Sequence, residues 1–95
     1  MEHPSDVLAE VSLVITNEVD LHARPAALFV QTAGRFKQTR IELVKDGVVR
    51  DAKSMLGVLT LGVGKGTRIA IRAEGPEADE ALRALSDLVN RDFKG

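Results

Sequence analysis

Between Thr67 and Arg91 the apolar period of the chain changes within a few residues, and that change constrains the fold more than any other feature. In "TRIAIRA", Ile69 and Ile71 fall on one side and Arg68 and Arg72 on the other, the mark of a strand with one buried face. Directly after it, in "GPEADEALRALSDLVNR", Ala78, Ala81, Leu82, Leu85, Leu88 and Val89 recur at i, i+3, i+4 and make one helical stripe. Pro76 and the acids behind it favour a helix start there, and Arg91 favours its end. A strand with one apolar face and a helix with one apolar stripe bury both when helices lie against one side of a sheet.

The upstream residues repeat this logic. "EVSLVIT" alternates, with Val11, Leu13 and Ile15 opposite Ser12 and Thr16, and predicts a half-buried strand. "NEVDL" reads as a loop. From Pro25 the set Ala26, Phe29, Val30, Ala33 follows helical spacing, and Gly34 and Phe36 mark its end. In "RIELVKDGVVRD" the Asp46-Gly47 pair is a two-residue hairpin signal, which predicts strands near 40–45 and 48–52. "KSMLGVLTLG" has room only for a short helix, with Ser54 as its N-cap. The order is βαββαβα, an α+β arrangement with an antiparallel sheet and helices on one face. There is no internal repeat and no low-complexity linker.

Length and composition bound the function. Ninety-five residues suit one domain, and a chain of this size buries only roughly 60–65 % of its unfolded surface, so nearly every apolar side chain belongs to one core. Fourteen acids against thirteen Lys plus Arg give a net charge of −1, too weak a field to gather nucleic acid or an anionic membrane. Three Phe with no Tyr or Trp offer no stacking platform. Without cysteine there is no disulfide or thiolate chemistry. No apolar stretch approaches the ~20 residues of a membrane span, and the acidic, polar start "MEHPSDVLAE" is unlike a signal peptide, so a cytoplasmic protein is expected. His3 and His22 alone make no metal site, and no cofactor is expected. "LGVGKGTR" is not a phosphate loop: Lys65 is followed by Gly66 rather than Ser or Thr, and the segment runs from helix to strand. Turn glycines explain it.

The stretch that carries chemistry is "VDLHARPAA", residues 19–27, at the seam between strand and helix. A helix start leaves about four backbone N–H groups without intrahelical partners and carries partial positive charge, which attracts anions. Pro25 suits the first turn because its missing N–H would be unpaired there. An imidazole at this end is biased toward its neutral form, leaving one ring nitrogen free to attack. The guanidinium of Arg24 supplies a forked donor for phosphate oxygens. Together, His22 and Arg24 have the parts of a phosphoryl acceptor. Taken alone, the same pair also fits a capping histidine beside a solvated arginine.

Two motifs narrow the choice. "LHARPAALFVQTA" and, downstream, "AKSMLGVLTLGVGKGTRIAIRAEGPEADEALRALSDLV" resemble, in this order, the histidine-containing phosphocarrier protein family HPr of the bacterial phosphotransferase system. The likeness runs from about residue 10 to 90. It implies an open-faced β-sandwich, a four-stranded antiparallel sheet with three helices on one face, with residues 1–9 as a flexible N-terminal lead-in and 10–95 as the HPr-like domain. It implies a phosphoryl carrier rather than an enzyme: His22 accepts phosphate on Nδ1 from enzyme I, which draws it from phosphoenolpyruvate, and passes it to the IIA domain of a sugar permease. Arg24 becomes the phosphate partner, and Ala23, Arg24 and Pro25 the phosphate-binding segment. Ser54 matches a position that many members have phosphorylated by an ATP-dependent kinase, with a serine kinase/phosphorylase and a transcriptional regulator as further partners. Met55, Leu56 and Leu59 match the surface that docks enzyme I and the acceptors. One of the three is expected in the core, because a helix this short cannot turn all of them inward.

The chain departs from the family before the histidine. Asp20 stands where glycine is usual, and Val19 where a small polar residue is frequent. Two readings of Asp20 stay open: it adopts the left-handed backbone that Asp tolerates better than most residues, or its carboxylate opposes an incoming phosphate; slower phosphorylation or a less stable phosphohistidine than in a typical member is expected. The span from His22 to Ser54 is about one residue longer than usual, which the Asp46-Gly47 hairpin can absorb. A regulatory paralogue in a nitrogen-type or signalling phosphorelay would keep His22 as well, so the residues leave both open. An acylphosphatase-like hydrolase is disfavoured, since "VITNEVDLHAR" has no glycine-rich anion loop. A shuttle docks its partners in turn, so a monomer is expected, without nucleic-acid binding or membrane insertion.

Overall fold

The computed structural model describes residues 8–15, 23–64 and 66–91. Seven elements follow in chain order: β1 (Leu8–Val14), α1 (Ala23–Gly34), β2 (Arg40–Lys45), β3 (Val48–Asp51), α2 (Met55–Thr60), β4 (Arg68–Glu74) and α3 (Ala78–Asn90). The four strands form one antiparallel sheet in the order β1-β4-β2-β3. This is the expected βαββαβα order and the α+β class. β1 starts at Leu8, inside the segment read as a lead-in, because Leu8 and Ala9 pair with Glu74 and Ala73 of β4. Residues 1–7 of that lead-in lie outside the described residues.

The periodicities convert directly into burial. Ile69, Ile71 and Ala73 of β4, Ile41 and Leu43 of β2, and Ile15 just past β1 turn to one side of the sheet. On that side they meet Ala26, Phe29 and Ala33 of α1, Val58 of α2, and all six stripe residues of α3. Fully burying each large side chain contributes about 1.5–3 kcal/mol relative to exposure, so Phe29, Ile41, Leu43, Ile71 and Leu85 are the main anchors. α3 covers β1 and β4, α2 lies beside β3, and α1 packs between the two helices. The other sheet face carries Glu10, Ser12, Arg40, Glu42, Val49, Arg68 and Arg72, all exposed or half-buried. There the Arg72 Nε sits 3.9 Å from Glu42 Oε1, a half-solvated pair that adds little to stability.

Among the turns with left-handed backbone, two follow β2 and β4. Asp46 (φ 50°) and Gly47 (φ 80°) both have positive φ, the two-residue hairpin conformation that matches the twist of β2 and β3. Gly75, between β4 and α3, has φ 144°, and a Cβ placed on it would lie 2.8 Å from both Gln38 O and Thr39 Cα. Thr39 is buried there, and its Oγ1 accepts a hydrogen bond from the Glu77 amide at 3.1 Å. A second tie secures the same connection: the Lys53 ammonium donates to Phe36 O and Thr39 O, each at 2.7 Å. The α1–β2 connection is thus held from two sides.

Candidate functional site

α1 begins at Ala23, the residue immediately after His22. His22 itself, with Val19 and Asp20, lies outside the described residues. The helix start is described. Arg24 is exposed in its first turn and Pro25 is buried. Pro25 is one of the residues read as phosphate-binding, but it has no N–H. The amide donors of this turn are therefore Ala23 and Arg24, while Pro25 fixes the backbone that aims them. No acidic residue occupies the first turn of α1, whereas α3 opens with Asp79 and Glu80. A helix that carries its own carboxylates neutralises its positive end. α1 leaves that end for an anion from outside.

Ser54 caps α2 as its sequence position predicted. It has extended backbone (φ −105°, ψ 116°), and its Oγ accepts the Gly57 amide at 3.0 Å. The space is tight, since a Cβ on Gly57 would stand 3.3 Å from Ser54 Cβ and Oγ. Replacing the hydroxyl leaves the Gly57 amide half-buried without that partner. Ser54→Ala is therefore expected to cost about 1 kcal/mol and to lower the melting temperature by roughly 4–8 °C in a domain of this size. A thermal melt followed by circular dichroism checks it; an unchanged midpoint would mean that the cap contributes nothing.

The apolar residues after Ser54 divide between core and solvent. Met55 is half-buried and packs against the core, whereas Leu56 is 72 % exposed and Leu59 37 %. The expectation that one of the three joins the core is met by Met55. α1 and α2 touch one another, so the exposed leucines sit on the helix neighbouring the one that opens beside His22. Sequence reasoning missed Lys53 and Thr39. Lys53 directly precedes the Ser54 cap, and its two bonds to carbonyls fix the approach to α2. The nearest signal was a lysine beside a cap, which is indistinguishable from a solvated one.

A groove of about 570 Å³ lies at the β2–β3 end between Lys37, Arg40, Glu42, Arg50 and Lys53. No residue of α1 or α2 lines it. No described helix is long and apolar enough to cross a membrane.

A four-stranded sheet under three helices, with an acid-free, arginine-bearing helix start beside a histidine, defines an open-faced α+β sandwich with a basic helix mouth. Residues 9–91 match the family model PTS-HPr, described as the PTS HPr component phosphorylation site. The chain is 43 % identical over 84 residues to the phosphocarrier protein HPr of Pseudomonas aeruginosa, covering 87 % of this chain and 92 % of that one. The crystal structure of HPr-C-His from Thermoanaerobacter tengcongensis is similar at a TM-score of 0.85 and 46 % identity, covering 90 % of this chain and 94 % of that one. A crystal structure of an HPr dimer from the same organism is similar at 0.73 and 45 %, covering 90 % and 97 %. The chain belongs to the HPr family, the phosphocarrier proteins of the phosphotransferase system.

Proposed function

We propose that this phosphocarrier accepts its phosphoryl group on His22 from phosphorylated enzyme I, ultimately from phosphoenolpyruvate, and passes it to the IIA domain of sugar permeases in the cytoplasm. The observation that carries the reading is the start of α1, which exposes Arg24 and holds no carboxylate of its own. The Nδ1 lone pair of a neutral His22 attacks phosphorus, and the bond between phosphorus and the donor's nitrogen breaks. The three phosphoryl oxygens keep their negative charge. Arg24 and the Ala23 and Arg24 amides stabilise that charge as it passes. The same elements run in reverse when an acceptor attacks. The chain ends each cycle unchanged, acting as a protein substrate with no turnover of its own.

Ser54 is the regulatory position in this reading. A phosphate on its Oγ adds roughly −1.5 to −2 charges beside the exposed Leu56. It therefore alters docking without touching the imidazole. The kinase that places it, and a transcriptional regulator that reads it, complete the set of partners.

The direct test is incubation with enzyme I and radiolabelled phosphoenolpyruvate. An acid-labile, base-stable label on this chain is expected, and its absence would leave a non-transferring binding module as the better account. The docking surface has its own test. Leu56→Asp should slow label uptake about tenfold, which is the loss of roughly 1.4 kcal/mol of docking energy. The melting temperature should hold, because the side chain is 72 % exposed. Unchanged uptake would remove Leu56 from the docking surface.

A further inference from the structure

The inward-facing row of β2 runs Ile41, Leu43, Lys45 and so ends on a charge. Because strand side chains alternate, Lys45 stands on the helix side of the sheet, where a third aliphatic residue would continue the row. It is half-buried there, and its ammonium is used. Lys45 Nζ donates to Gly62 O at 2.8 Å and to Leu61 O at 3.3 Å, and these carbonyls lie at the C-terminal end of α2. A long aliphatic stem with a charged tip suits this place, since a leucine or isoleucine would end short of the carbonyls.

α2 needs such a tie. It has six residues, fewer than the ~12–15 at which an isolated helix becomes even marginally stable in water. Val58 is its one buried side chain, and no basic residue stands in its last turn to meet the partial negative charge of that end. Three donors share the carbonyls there. Thr60 Oγ1 donates to Leu56 O at 2.8 Å and to Gly57 O at 3.2 Å. The Leu61 amide donates to Val58 O at 3.3 Å, and Lys45 takes Leu61 O and Gly62 O. Thr60 and Leu61 belong to the helix and its cap, so they move with it. Of the three donors, only Lys45 comes from the sheet. The other end of α2 is fixed by the Ser54 cap and by the bonds of Lys53 to Phe36 O and Thr39 O. The exposed Leu56 and Leu59 lie between these two ties, so their direction is set by the helix that carries them.

We infer that Lys45 is a positioning residue for docking: it holds the C-terminal end of α2 to the sheet and so fixes the surface that Leu56 and Leu59 offer to enzyme I. The inference rests on the reading of these leucines as a docking surface. Lys45 touches no phosphoryl group in this role and acts through α2.

Steady-state transfer from phosphorylated enzyme I, with the full chain as the varied substrate, separates this role from a general effect on stability. Lys45→Met keeps most of the stem and removes the ammonium. Loss of this charge-assisted tie should raise KM roughly 3–10-fold. Measured well below the melting temperature, kcat should stay within about twofold of wild type, because the reacting groups are untouched. Lys45→Arg, whose forked donors can take both carbonyls, should restore KM. Amide exchange at Leu61 should quicken in Lys45→Met while the amides of β4 hold, since the opening is local. Added to Leu56→Asp, Lys45→Met should raise KM less than it does in wild type, because both act on one surface. If wild type takes label and Lys45→Met keeps the wild-type KM, the inference is overturned and the carrier reading stands. A fall in kcat at unchanged KM, or effects of the two substitutions that add in full, also overturns it. No label on wild type removes the carrier reading and this inference together.

Discussion

His22→Ala should take no acid-labile label from enzyme I and phosphoenolpyruvate, while folding as wild type does. The expectation is total rather than graded because the imidazole is the group that forms the new bond. Arg24 and the α1 amides stabilise charge on oxygens, yet none of them is a nucleophile at neutral pH. His3, the other imidazole of the chain, is separated from the α1 start by the whole of β1. The described core residues on either side of His22, Ile15 before and Ala26 and Phe29 after, are left unchanged by the substitution. The melting temperature should therefore move by no more than a few degrees. Label on wild type and none on the folded variant would assign the phosphoryl group to this nitrogen. A variant that labels as fast as wild type would move the acceptor elsewhere and remove the reason for the basic start of α1.

Local regularities were legible, and contacts between distant segments were not. The alternation of Ile69 and Ile71 and the stripe from Ala78 to Val89 translate into burial residue by residue, because each depends on neighbours within a turn or two. Asp46-Gly47 and the Ser54 cap were legible for the same reason. The place of β4 between β1 and β2 was not: alternation states that a strand has a buried face, not which strands stand beside it. Leu8 and Ala9 were read as lead-in because only their pairing with Glu74 and Ala73 makes them strand. The site divides in the same way. Histidine, arginine and proline at a helix start are a local pattern, and Arg24 and Pro25 stand in the first turn of α1 as that pattern requires. The ties of Lys53 to Phe36 and Thr39 join residues more than a dozen positions apart and leave no periodic trace.

Gly75→Ala should be a severely damaging single-methyl change, and Gly34→Ala its harmless counterpart. At Gly75 the backbone has φ 144°, where an L side chain is strained by about 1–3 kcal/mol. The added Cβ would also stand 2.8 Å from Gln38 O and Thr39 Cα, which are backbone atoms and cannot rotate aside as a flexible side chain would. Relief requires the β4–α3 turn to separate from the α1–β2 connection. That movement breaks the bond from the Glu77 amide to the buried Thr39 hydroxyl, at a cost of about 1–3 kcal/mol. A combined loss of roughly 3–5 kcal/mol is a large part of the ~5–15 kcal/mol that holds a domain together. It should lower the melting temperature by about 15–30 °C. Gly34, at the end of α1, has nothing within 4 Å of its added Cβ and no positive φ. Alanine there should be neutral or stabilise by up to about 1 kcal/mol, because it restricts the unfolded chain and suits a helix. Thermal and urea unfolding of both variants separates space from glycine content. If Gly75→Ala melts within a few degrees of wild type, the two connections do not press on each other as the structure places them.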